Sequence, residues 1–293
     1  MTLPRFEYFA PEGLDEALLI LSKKGKDAFV MAGGTDLVMK MNRGLVKPAA
    51  IISLSRIKGL NKIDFDPRRG LTIGATALIA EVASHHEIKK RYPAIAHATG
   101  VMANVQIRNM GTVAGNLCNA APSADNAPPL MAMGAEVTLT GMKGDRQVPV
   151  EEFFRGPGMT ALEPGEIMTS IFVPLPPPHS GASYERISAR GKADIAAVSA
   201  GVMLIMEGGT CKKARIALGA VAPVPMRARK AENMLNGKRL TQGLIEKAAA
   251  QAARESRPVS DVRASAAYRN RIVSVLTRRA IEKAHASALK RQT

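Results

Sequence analysis

Tryptophan is absent from the 293-residue chain, aromatic residues make up only 4% of it, and there are two cysteines and five histidines. Each shortage removes a class of function. Without stacking aromatics, and with no zinc-finger or RNA-recognition signature, the excess of 41 Lys plus Arg over 25 Asp plus Glu does not read as a nucleic-acid platform. Cys118 and Cys211 stand far apart with no C-x-x-C spacing, so the chain supplies neither the four thiolates of an iron–sulfur cluster nor a disulfide framework. The histidines lack ligand spacing and none has a cysteine beside it, so no metal site and no catalytic nucleophile–base pair is assigned; His85 and His86 read as a helix surface. No apolar run approaches the roughly 20 residues of a membrane span. The opening MTLPRFEYFAPEGLDEALLIL mixes acids and prolines into its apolar residues, which predicts no signal peptide, no membrane insertion and a cytoplasmic location. The phosphate signature G-x-x-x-x-G-K-S/T is missing, and no G-x-G-x-x-G opens a helix after a strand, which sets aside P-loop and Rossmann nucleotide binding.

What is present is a concentration of small residues, amides and turn formers. Gln106 to Leu130 reads as a ligand loop, and within it Thr112-Val113-Ala114-Gly115-Asn116 offers a hydroxyl, an amide and little-obstructed backbone N–H groups suited to a phosphate. Ala32-Gly33-Gly34-Thr35-Asp36 has the same make-up and follows a short apolar run, Ala28 to Met31. Two such loops point to a diphosphate held from both sides. A helix over Asp36 to Arg43, capped by Thr35 or Asp36, would add the anion preference of a helix start.

Around these loops the pattern divides the chain into three units: 1–57, 58–177 and 178–293. The first combines a helix over Gly13 to Lys24 with strands at Ala28 to Met31 and Ala50 to Leu54. The second shows short strands at Asn61 to Phe65 and Leu71 to Gly74, helices over Ala77 to Ser84 and Tyr92 to Val101, the ligand loop, and a hairpin of Glu136 to Thr140 with Arg146 to Val150. The prolines at Pro174 to Pro178 suit a linker. The third places strands at Ala182 to Ser188, Ile195 to Met206 and Arg215 to Ala220 before helices at Met226 to Leu235, Thr241 to Ala253 and Ser265 to Ala286, an antiparallel α+β unit. Basic charge gathers late, with 19 Lys plus Arg against 5 Asp plus Glu from Lys212 onward, and reads as a solvated face or one that docks an acidic partner.

The succession Ala32 to Leu37, Leu71-Thr72-Ile73-Gly74-Ala75-Thr76, Ile107-Arg108-Asn109-Met110-Gly111-Thr112-Val113-Ala114-Gly115-Asn116 and Pro122-Ser123-Ala124-Asp125 resembles the FAD-binding (medium) subunit of molybdenum hydroxylases, the family of xanthine dehydrogenase and carbon monoxide dehydrogenase flavoproteins. The likeness continues through Glu152 to Gly158, Gly165-Glu166-Ile167 and Tyr184 to Asp194, essentially the whole chain. It implies an α+β fold: a two-part FAD-binding domain of the vanillyl-alcohol-oxidase/PCMH type, then a C-terminal α+β domain of antiparallel sheet plus helices that covers the flavin. It further implies that Ala32, Gly33, Gly34, Thr35, Asp36 and Leu37 hold the diphosphate from one side and Gly111, Thr112, Ala114, Gly115 and Asn116 from the other. Ala114 stands where many relatives have a second glycine. Asp125 corresponds to the acid that binds the adenosine ribose, Val101 or Met102 to the adenine-side pocket, and Ile167 or Met168 to another wall. Arg186 and the Asp194-Ile195 segment correspond to residues at the flavin ring, and Tyr184 either stacks or hydrogen-bonds there or is structural.

The resemblance implies an oxidoreductase subunit carrying non-covalent FAD, since Ala32 to Leu37 holds no His or Cys to bond a flavin. Molybdenum cofactor and 2Fe-2S clusters would belong to partner subunits only, a large molybdenum subunit and a small iron–sulfur subunit, in a hetero-oligomer. Electrons would pass from those clusters through FAD to an external acceptor. The alternative is a stand-alone FAD-dependent oxidase or reductase of the same fold, which would need an acid or base of its own in the third unit.

Overall fold

The computed structural model describes residues 3–191 and 193–290. The chain opens with β1 (Glu7–Phe9), α1 (Leu14–Lys24), β2 (Ala28–Met31), α2 (Leu37–Asn42) and β3 (Ala50–Ser53). β3 lies between β1 and β2 and runs parallel to both. All four of its residues are buried, as a central parallel strand requires. α1 turns Ala17, Leu18 and Leu21 onto Ile52 and Leu54, and ends where Gly25 adopts a φ of 65°. The expected side-chain cap on α2 is not made. Asp36 occupies the N-cap in a helical conformation, and the first turn closes through Val38 N–H to Gly34 O and Lys40 N–H to Asp36 O, each 2.9 Å.

The middle of the chain contributes β4 (Ile63–Asp66), β5 (Gly70–Gly74), α3 (Ile79–Ser84), α4 (His86–Arg91), α5 (Pro93–Val101), α6 (Val105–Arg108), α7 (Val113–Cys118) and α8 (Ala127–Ala132). It continues with β6 (Glu136–Gly141), β7 (Gly144–Pro149), α9 (Val150–Phe153), β8 (Phe154–Gly156), β9 (Met159–Thr160) and β10 (Ile167–Pro174). Five strands form an antiparallel sheet in the order β4-β5-β10-β6-β7, so β10 is its centre. Local patterning misses this strand because a bulge between Met168 and Ser170 breaks its alternation, and a proline ends it. Ile167 and Met168, expected as pocket walls, are the first residues of that strand.

The ligand stretch Gln106 to Leu130 is not one loop but short helices joined by turns. α6, α7 and α8 have four, six and six residues, too short to show a helical repeat. Their starts are marked by caps instead: Asn104 Oδ1 accepts from Ile107 N–H at 2.8 Å, Thr112 Oγ1 accepts from Gly115 N–H at 2.9 Å, and prolines occupy the first turn of α8.

The last unit comprises β11 (Ser180–Ser188), β12 (Ala196–Glu207), β13 (Thr210–Gly219), β14 (Met226–Arg227), α10 (Arg229–Leu235), α11 (Gln242–Glu255) and α12 (Ala266–Lys290). Its strands form an antiparallel sheet in chain order. Met226, expected to open a helix, instead pairs with Leu218 in β14, because the backbone can complete a sheet edge there before α10 begins at Arg229. One sheet face packs Val202, Leu204 and Ile216 against α10 to α12. α12 crosses β11 so closely that a Cβ on Gly181 would lie 2.0 Å from Ala284 O. The opposite face meets the middle unit, where a Cβ on Gly201 would lie 2.6 Å from the Pro128 carbonyl of α8. The antiparallel four-stranded sheet therefore lies between its own helices and the five-stranded unit.

Candidate functional site

Ala32 to Asp36 leaves the carboxyl end of β2, where open parallel sheets present their ligands. Gly34 takes a φ of 71°, which turns the chain toward α2. Gly33 does something different. A Cβ there would lie 1.9 Å from Met110 O, so Gly33 is the point where the first loop presses on the second. The second loop is fixed in turn by Ile79 N–H donating to Gly111 O at 2.9 Å and by an isolated bridge between Leu78 and Thr112.

Hydrogen bonding decides which atoms of the second loop remain available. Gly115 N–H is used by the Thr112 hydroxyl, and Asn116 N–H bonds Thr112 O at 3.0 Å. Those two backbone donors, expected to face an anion, are occupied within the helix start. The first-turn N–H groups of Val113 and Ala114 are the ones that helix geometry leaves without an acceptor.

Three clefts meet at Ala32. One of 380 Å³ is lined by Gly33, Gly34, Thr35, Asp36, Leu37, Met102, Gly111, Thr112, Gly115 and Asn116, with Lys40 as its cation. A second of 580 Å³ runs from Ala28 and Val30 past Ala114 and Gly115 to Ile167 and Met168. The third, of 490 Å³, lies beside Gly33 and Thr112 and carries Arg56, Lys58 and Glu81. Together they make an elongated groove on both sides of the loop junction. Cys118 lines the first two, and burial pushes its thiol up to about 12, so it is a neutral thiol at physiological pH.

Asn126 is a site residue that sequence reasoning missed. It is buried, donates from Nδ2 to Asn116 Oδ1 at 3.1 Å and to Met102 Sδ at 3.2 Å, and its own Oδ1 has no partner. An acceptor left unpaired in the interior is costly unless a ligand or water donates to it. In sequence Asn126 is one more turn former in Ser-Ala-Asp-Asn, with no signal to set it apart.

The remaining expected residues, Val101, Asp125, Tyr184, Arg186, Asp194 and Ile195, do not line these clefts; they gather at the seam between α5, α8 and β11. The Tyr184 hydroxyl donates to Asp125 Oδ1 at 2.5 Å, and Arg186 Nη1 lies 3.4 Å from Asp125 Oδ2. Burial holds the Asp125 carboxyl above its ordinary value, opposed by Arg186 and the Tyr184 bond, and burial likewise raises the Tyr184 phenol. Arg186 also donates to the carbonyls of Val101, at 3.0 Å, and Asp194. The Asp194 carboxylate is paired with Arg190 at 3.0 Å, which lowers its pKa, and Ile195 beside it is exposed. Arg186 thus ties the segment between β11 and β12 to the end of α5.

The family described as the FAD binding domain in molybdopterin dehydrogenase matches residues 4–176, and the CO dehydrogenase flavoprotein C-terminal domain matches residues 183–284. The carbon monoxide dehydrogenase medium chain of Afipia carboxidovorans is 35% identical over 97% of this chain and 98% of its own. The glyceraldehyde dehydrogenase medium chain of Sulfolobus acidocaldarius is 32% identical over 95% of this chain and 98% of its own. Among solved structures, carbon monoxide dehydrogenase from Hydrogenophaga pseudoflava lacking the Mo-pyranopterin moiety superposes with a TM-score of 0.94 at 34% identity, covering 98% of this chain and 99% of that one.

Proposed function

The chain belongs to the FAD-binding subunits of the molybdenum hydroxylases, and from that membership we propose how its residues hold the cofactor and where it stands in the electron path. The observation that carries the proposal is the junction of Gly33 with Met110, where the grooves on both sides meet at Ala32. The donor set fits a dinucleotide diphosphate. The main-chain N–H groups of Gly33, Gly34 and Thr35 face it from one loop and those of Val113 and Ala114 from the other, with Lys40 offsetting its charge.

Ala32, Asp36, Leu37, Gly111, Thr112, Gly115 and Asn116 shape that cleft, and Ala114, Ile167 and Met168 give the larger one an apolar wall. The unpaired Asn126 Oδ1 beside Asn116 is an acceptor that a bound ligand can satisfy. By correspondence with the family Val101 and Met102 are assigned to the adenine side and Asp125 to the ribose; of the three Met102 lines the cleft, and Asp125 would exchange its Tyr184 and Arg186 contacts for ribose hydroxyls. Tyr184, Arg186, Asp194 and Ile195 steady the cover over the flavin ring. When bound, FAD supplies the electron carrier that no side chain here can replace. The protein's part is to fix its orientation and exclude water.

The division of labour follows three units, 1–57 and 58–177 binding FAD and 178–293 covering it. A large molybdenum subunit and a small 2Fe-2S subunit deliver electrons in a heterotrimeric assembly, and an external acceptor removes them. No helix among the described residues is long and apolar enough to cross a membrane, and a cytoplasmic location fits the proposed assembly. The test is the visible spectrum of the purified chain followed by acid precipitation. A single FAD per chain released intact is expected; flavin that stays on the polypeptide would refute the non-covalent site, and a colourless chain that takes up no FAD would refute the site itself.

A further inference from the structure

β12 and β13 form a hairpin in which Met203 pairs with Arg215 and Ile205 with Lys213. These four side chains share the sheet face turned toward the middle unit, since the neighbouring pairs Val202–Ile216 and Leu204–Ala214 lie under the helices. Along that face contact with the middle unit loosens. At Gly201 the sheet touches Pro128, whereas at Met203 and Ile205 it parts to leave a cleft of 160 Å³, closed opposite by Met133, Pro174, Leu175 and Pro177. Two cations therefore stand over a floor of methionine, isoleucine and proline.

Neither cation makes a side-chain hydrogen bond or ion pair among the described residues, and Arg215 feels Glu151 and Glu232 only through space. The Arg215 guanidinium rests on the backbone of Gly134, where a Cβ would lie 1.9 Å from its Nη1, yet it donates no hydrogen bond. The nearby carboxylates are committed elsewhere: Glu232 binds Arg227 at 2.5 Å, and Glu151 binds Arg227 at 2.9 Å and Arg229 at 2.8 Å. Burial and then the repulsion of Arg227 lower the pKa of Arg215, and the nearby carboxylates of Glu151 and Glu232 offset that only in part. A guanidinium presents planar paired donors that match a carboxylate, while the apolar floor rejects a bare, fully hydrated anion.

We propose that this cleft binds a small carboxylate with a short aliphatic body, its head on Arg215 and Lys213 and its chain on Met203, Ile205 and Pro177. The volume excludes a nucleotide. The site lies apart from the loop junction, so the proposal does not depend on how FAD is held.

The test is calorimetric titration of the full, flavin-loaded chain with butyrate, acetate, 1-butanol and inorganic phosphate, alongside thermal melts. Saturable binding of butyrate is expected, at least tenfold tighter than acetate, with no binding of butanol or phosphate. Arg215→Gln should weaken butyrate at least tenfold while the flavin spectrum is kept. Lys213→Glu, at an exposed position, places a carboxylate beside Arg215 and should abolish butyrate binding while raising the melting temperature of the ligand-free protein. Absence of saturable butyrate binding overturns the proposal, as expected if an acidic side chain of another subunit is the true partner. Undiminished binding in Arg215→Gln overturns it equally, and a flavin-free preparation would instead count against the FAD site.

Discussion

Glycine at two neighbouring sites serves two purposes, and substitution separates them. Gly33 faces backbone: a methyl group would collide with Met110 O, and neither loop can retreat without losing the bridge between Leu78 and Thr112. Overpacking of that kind costs about 1–3 kcal/mol. Gly33→Ala is therefore expected to lose FAD and melt at lower temperature. Gly115 faces only the Thr112 hydroxyl, with a Cβ distance of 2.9 Å. There the disturbed cap, about 0.5–2 kcal/mol, is offset by the roughly 1 kcal/mol by which alanine outranks glycine inside a helix. Gly115→Ala should keep most of its flavin. Bound FAD per chain, from absorbance after gel filtration, checks both; equal loss in the two variants would show that the loops do not meet as described. Composition marked both stretches as places where backbone approaches closely, since small residues and turn formers crowd there. The reason for Gly33 was not legible, since it lies in a contact with Met110 far along the chain. Asn126 escaped for the same cause, its partners Asn116 and Met102 being 10 and 24 residues away.

Elements with a clean repeat were readable from sequence, and those ruled by long-range pairing were not. α1 and α11 show their buried stripes directly, whereas β10, the centre of the five-stranded sheet, is obscured by its bulge, and the helices within Gln106 to Leu130 are each too short for periodicity. α12 begins within a residue of where the sequence pattern put it, with the Ser265 hydroxyl accepting from Tyr268 N–H at 3.2 Å, and a charged turn precedes it. Asp261 accepts from Arg263 N–H at 2.8 Å and from Arg269 Nη2 at 2.6 Å, and Arg269, buried in α12, also donates to Ala220 O at 2.9 Å. The bond from the Arg263 amide, then that from Arg269, holds the Asp261 carboxyl at about 2. That is below the ordinary value of about 3.9, so its contribution is complete above that pH and is lost as pH falls through the lower value. Melting temperature should drop as the pH falls from about 4 toward 2, more steeply in the parent than in Asp261→Asn, which starts from a lower plateau. Parallel acid limbs in the two proteins would remove Asp261 from the linkage between α11 and α12.

At the scale of the whole chain, the net charge of +16 is concentrated where the flavin loops are not. Lys230, Lys247, Arg254, Arg271 and Arg279 stand exposed on α10, α11 and α12, whereas the grooves at the loop junction carry opposed charges, Lys40 with Asp36 in one and Arg56 and Lys58 with Glu81 in another. A face so basic, on helices that lie across the sheet from the middle unit, suits association with an acidic surface, and steering of that kind slows as salt rises. The order of strands and helices in the sequence suggested a succession of units but not how they pack, because the packing rests on glycines such as Gly181 and Gly201 whose neighbours lie in distant elements. The same assembly limits what the chain can do unaided. Among the described residues no group of His, Cys, Asp or Glu is arranged to hold a metal ion. Cys118 is a neutral thiol, and Glu166 by the larger cleft is locked by Arg146 at 2.6 Å, so neither of these two serves as a ready base toward an organic substrate. Anaerobic mixing with the substrate of the full assembly should therefore leave the flavin of the isolated chain oxidised. Bleaching should appear when the molybdenum and iron–sulfur subunits are added, at an association rate that falls with salt. Bleaching by the chain alone, at a rate its companions do not improve, would assign the substrate site to this chain and make it a flavoenzyme in its own right.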